Sequence, residues 1–140
     1  MEFLYRNDID TYEIQQCPPL NAQPVSILAW RWTFEPYTAN CFSPLGKVNP
    51  KRILSPTITD KCSCWGLSMY STQDKAESVF SEIEKNFKKA RQTIGTHVSK
   101  GNLEPADGVI TEIEDNGHFD FHPYTGVDIK LKFEVVRCIP

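Results

Sequence analysis

The stretch Gly117-His118-Phe119-Asp120-Phe121-His122-Pro123-Tyr124 holds two of the chain's 3 histidines, with an acid midway between them. Successive residues of a strand point to opposite faces. If extended, this stretch puts His118, Asp120 and His122 on one face and Phe119 and Phe121 on the other. Imidazole beside carboxylate suits general acid–base work or a metal site. Geometry limits the metal: His118 and His122 on one strand stand about 13 Å apart, too far for two bonds of ~2.1 Å to a single ion. The competing account is a solvated outer face of a hairpin, because antiparallel sheets commonly turn one face to water.

Val109 to Glu114 must position this stretch, joined to it through Asp115-Asn116-Gly117. Asn-Gly between alternating runs signals a hairpin over 109–122. A three-residue loop at 115–117 gives Gly117 the left-handed bulge position and separates the faces. Val109, Thr111, Ile113, Phe119 and Phe121 then oppose Ile110, Glu112, Glu114, His118, Asp120 and His122. In this register Glu114 faces His118 and Glu112 faces Asp120. A carboxylate opposite a histidine orients it as an acid or base. The expected catalytic group is His118, Glu114 and Glu112, with Arg31.

Arg31 lies in the first strand candidate, Val25 to Phe34. Trp30, Trp32 and Phe34 share one face, expected to be core. Arg31 projects from the other, where its planar fork could grip a carboxylate or phosphate. The plainer account is a surface arginine packing its stem on a neighbour. Cys64 to Tyr70 reads as a second strand, with Gly66 marking a bulge or a close backbone approach. A helix over 71–94 follows, capped by Ser71, with an apolar stripe through Ala76, Val79, Phe80, Ile83, Phe87 and Ala90. Its acids come early and its bases late, matching the helix dipole. Thr96 to Leu103 and Val127 to Ile139 supply further strands.

Two segments lack a period. Residues 1–24 form an irregular arm, a strap across the domain or a tail for a partner. Residues 35–61 carry Pro36, Pro44, Pro50 and Pro56 and read as a long loop. Its Lys47, Lys51 and Arg52 make it a candidate lid over an anionic ligand.

The order of Arg31, then Ser68 or Tyr70-Ser71 ahead of a helix, then Glu112 or Glu114 resembles ADP-ribosyltransferase-like domains. Those carry an Arg or His on an early strand, a hydroxyl on a middle strand and a Glu on a later one. The resemblance covers three scattered positions, and the middle motif is not the family's usual Ser-Thr-Ser. It implies NAD as substrate, with Arg31, Ser68 and Tyr70 binding it; otherwise no cofactor is expected.

Bulk properties bound the rest. Hydrophobic residues at 40% and charged residues at 24% fit one globular domain over 1–140. A net charge of -3 argues against a nucleic-acid binder that works by neutralising phosphates. No apolar run approaches the ~20 residues of a membrane helix. An N-terminus without a basic start suggests a cytoplasmic address. The 5 cysteines are then expected as reduced thiols. Cys62-Ser63-Cys64 is not the C-x-x-C of zinc ribbons, and although Cys41 could join them, no metal is expected.

The expected architecture is α+β: a twisted, mostly antiparallel sheet packed on one long amphipathic helix. The expected role is a small binding or interaction domain for a protein partner or a small anionic ligand. The alternative is an enzyme with an Arg/His/Glu cleft for an anionic or nucleotide substrate.

Overall fold

A computed structural model describes residues 1–140. The strands are β1 (Ile27–Thr33), β2 (Leu67–Tyr70), β3 (His97–Leu103), β4 (Gly108–Ile110), β5 (His118–Pro123) and β6 (Phe133–Cys138). They form one antiparallel sheet in the order β4-β5-β2-β1-β3-β6. Four helices accompany it: α1 (Arg6–Thr11), α2 (Leu45–Val48), α3 (Gln73–Asn86) and α4 (Ala90–Thr93). The class is α+β, with one long helix on a six-stranded sheet. No helix is long and apolar enough to cross a membrane.

Both faces of the sheet are covered, which revises the expectation for β1. The deeper core gathers Ala29, Leu67, Met69, Leu103, Phe119, Phe121 and Phe133. Ala29 and Thr33 are fully buried there, while Trp30, Trp32 and Phe34 on the supposed core face are only half-buried. The reason is position: β1 is central, so small side chains on one face let a second layer close over it. Gly101 works the same way beside Ala29, because a Cβ there would stand 2.6 Å from the Phe133 ring. The tryptophan face carries the helix. Trp32 donates from Nε1 to the Ala76 carbonyl at 2.8 Å, and its ring meets Tyr70 at a tilt and Phe80 edge to face.

The helix is shorter than the periodicity predicts. Its N-cap is Thr72, whose side chain accepts from the Lys75 amide at 3.1 Å; the Ser71 amide donates to Gly117 instead. Phe87 leaves helical space (φ -135°, ψ 94°). The chain turns there so that Ala90 of α4 can pack beside Phe80 and Ile139. Arg91 holds this corner through Glu84 and the carbonyls of Ile139 and Pro140.

The segment 35–61 is built of short helical turns with no strand. Of its basic cluster, Lys47 pairs with Asp8 at 3.3 Å. The arm is a strap, bridging Phe3 to Tyr124 and Gln23 to Ile110 at the β4–β5 end of the sheet. It is also covalently tied. Cys17 and Cys62 form a disulfide, so two of the 5 cysteines are not thiols. Folding of the arm onto the 58–65 segment brings these cysteines together, a proximity that residue counting does not register.

Candidate functional site

Near its turn the hairpin follows the expected register. Gly117 has a φ of 86°, and the Glu114 amide donates to the His118 carbonyl at 2.8 Å. Farther along it differs. Val109 pairs with His122, Ile110 pairs with Phe121, and the Thr111 amide donates to the Asp120 carbonyl. One extra residue therefore sits in the 111–114 segment, a bulge that shifts every pairing beyond it. Ile110 joins Phe121 in the core, Thr111 takes the place across from Asp120, and Glu112 points away, exposed.

The polar face of β5 is not a solvated exterior. Asp120 is 7% exposed and His122 2%. Ser68 stands opposite Asp120 and Tyr70 opposite His118. Together with the 57–64 segment and Ile83 of α3 they line a cleft of about 610 Å³.

On its floor His118 is braced from both sides. Glu114 Oε2 meets its Nδ1, and Asp120 Oδ1 lies 3.5 Å from its Nε2. Ser63 Oγ donates to the other oxygen of Asp120 at 2.8 Å. An ionised carboxylate can only accept, so Glu114 assigns the hydrogen to Nδ1. Nε2 is left facing Asp120 Oδ1, across a gap longer than an ordinary hydrogen bond. Burial pushes the Asp120 carboxyl up from its ordinary range, against the pull of the Ser63 hydrogen bond and of His118. Burial also pushes the neighbouring Tyr70 phenol up to about 12, so Tyr70 stays a neutral donor. The acids Asp60, Glu114 and Asp120 line the cleft beside His118, with no lysine or arginine.

The expected site residues thus divide. His118, Glu114, Ser68 and Tyr70 meet in the cleft; Arg31 and Glu112 do not line it. Arg31 instead donates to the carbonyls of Cys41 and Ser68. Burial brings its guanidinium down to about 10, which still leaves it charged near neutrality. Ser63 and Asp60 were not foreseen. Ser63 acts across 57 residues of chain, and no local pattern announces such a partner.

His122 has separate company. It does not share a site with His118, as the strand rise requires. A ring nitrogen of His122 and the sulfurs of Cys17 and Cys62 all lie within 4.8 Å of one another. Burial pushes this imidazole down to about 4, so it is neutral near neutrality. Cys41 lies elsewhere, its sulfur accepting from the amides of Phe34 and Thr38.

No protein-family model, curated protein or solved structure matches this chain.

Proposed function

We propose that the chain binds a small hydroxyl-rich or cationic molecule in the cleft floored by His118. The observation that carries this reading is His118 held between Glu114 and Asp120, with Ser63 behind, in a cavity whose charged lining is otherwise entirely acidic. A volume of about 610 Å³ lies within the range of small-molecule sites. Carboxylates accept from hydroxyl or ammonium donors and repel phosphates. This reading departs from the small anionic ligand expected from the sequence, where Arg31 stood for an anion grip.

A histidine set between two carboxylates also supports a second, catalytic reading of the same site, with Nε2 free to accept. His118 takes a proton from a bound hydroxyl or amine while Glu114 orients the ring and Asp120 balances the charge. That chemistry requires no NAD.

The test is thermal unfolding of the wild-type chain with a panel of polyols and alkylamines, beside NAD and ADP-ribose, all at millimolar concentration. A member of the first group at ten times its dissociation constant should stabilise by about 1.4 kcal/mol and raise the midpoint by several degrees. His118→Ala should abolish that rise. Stabilisation by NAD alone, surviving His118→Ala, would overturn the proposal in favour of a nucleotide site.

A further inference from the structure

The cluster of Cys17, Cys62 and His122 lies outside the cleft lining and is not used by its chemistry. Its three side chains come from separate parts of the chain: the arm, the segment before β2, and β5. All three are buried, at 4%, 8% and 2% exposure. The His122 Nε2 has no hydrogen-bond partner in the protein. A buried polar nitrogen without a partner is costly and calls for an explanation. Gly66 keeps space beside the ring, since a Cβ there would stand 3.1 Å from Nε2. Around the cluster lie Ile9, Ile53 and Trp65, an apolar shell.

We propose that the Cys17–Cys62 disulfide and His122 are two states of one site, closed as a disulfide when oxidised and able to hold zinc when reduced. Two Zn–S bonds of about 2.3 Å and one Zn–N bond of about 2.05 Å, at tetrahedral angles, place ligand atoms roughly 3.6 to 3.8 Å apart. The nitrogen and both sulfurs already lie within 4.8 Å of one another, so the bonded sulfurs must separate and the imidazole need move by no more than about 1 Å. Thiolate with imidazole selects a borderline-soft ion such as zinc over magnesium or calcium, which take oxygen ligands.

The steps balance. A dithiol reductant gives two electrons and two protons to the S–S bond; it becomes a disulfide while Cys17 and Cys62 become thiols. Zinc then displaces the two thiol protons and takes the His122 lone pair. Three protein ligands leave the fourth position to water or an outside ligand. Reducing compartments keep such cysteine pairs as thiols and oxidising ones keep them bonded, so the site would report the compartment.

The experiment uses the full chain, oxidised or reduced with a phosphine, loaded with Zn²⁺ and desalted, with zinc per chain measured by mass spectrometry. About one zinc per reduced chain and none per oxidised chain is expected. Co²⁺ in place of zinc should give thiolate charge-transfer and tetrahedral bands in the reduced chain only. His122→Ala should weaken zinc retention at least tenfold, and Cys64→Ser should leave it unchanged. Because His122→Ala leaves a buried hole, nitrogen NMR of the wild-type histidine rings supplies a readout that needs no variant. The His122 ring should shift on adding zinc, and those of His97 and His118 should not. The proposal is overturned if the reduced chain retains no zinc, if another histidine shifts instead, or if Cys64→Ser abolishes retention.

Discussion

Arg31 Nη1 donates to the carbonyl of Ser68 at 2.6 Å, and its Nε donates to the carbonyl of Cys41 at 2.8 Å. One guanidinium thus fastens β2 and the turn at Cys41 to β1. Hydrogen bonds from a charged donor contribute about 1.5–3 kcal/mol each, and unpaired carbonyls cost more when buried. Arg31→Ala should therefore lower unfolding free energy by roughly 3–5 kcal/mol. Arg31→Lys should lose about half of that, because an ammonium cannot present the same fork. Urea unfolding checks both. In Arg31→Lys, ligand-induced stabilisation at the cleft should persist, since the arginine does not line it.

Gly101→Ala should destabilise despite the usual gain from replacing a strand glycine. The new Cβ would meet the Phe133 ring at 2.6 Å. Overpacking of this kind costs about 1–3 kcal/mol, against ~0.5–1 kcal/mol gained from restricting the backbone. Adding Phe133→Leu should recover part of the loss, and a double-mutant cycle would read the coupling directly.

Replacing both Cys17 and Cys62 by serine releases a closed loop with a sequence separation of 45. Chain entropy alone puts the expected loss at about 4 kcal/mol relative to the oxidised wild type. Guanidinium unfolding without reductant measures it. Equal midpoints for variant and oxidised wild type would remove the bond from the list of what holds the arm down.

Tyr70 ties stability to alkaline pH. Its folded pKa, raised by burial to about 12, exceeds the model-peptide value of 10.0. Below about pH 10 the phenol is neutral in both states and its contribution is full. Between about 10 and 12 the unfolded chain loses that proton while the folded one keeps it, so stability falls as pH rises. The loss should reach on the order of 2–3 kcal/mol at the top of the window. Comparing wild type with Tyr70→Phe at about pH 9 and about pH 11 isolates the effect, because the variant lacks the titration.

Local signals carried the class, the strands, the existence of α3 and the Glu114–His118 pair. Asn116-Gly117 specifies the turn within a few residues, so the first pairing beside it was legible. The bulge beyond it was not: alternation alone predicts unbroken pairing, and burial of Ile110 beside Phe121 overrides it. Half of the candidate site was likewise readable. Ser68, Tyr70, Glu114 and His118 lie on strands whose periods show. Ser63, Asp60 and the Cys17–Cys62–His122 cluster depend on where irregular segments settle, which no period encodes. Arg31 was visible as unusual, yet its partners are backbone carbonyls, and those carry no mark in a sequence.

The strand order has a kinetic corollary. Thr33 and Ser99 share a hydrogen bond of 2.7 Å in the middle of the sheet, though 66 residues separate them. Of the five strand pairings only β4 with β5 joins neighbours along the chain without an intervening helix or strand between distant partners. The central ladder cannot begin until a long stretch has closed on itself, with the entropy of that closure lost before any contact compensates. Refolding should accordingly run in milliseconds to seconds rather than microseconds. Until β1 finds β3, the tryptophans that later seat the helix stand open to solvent.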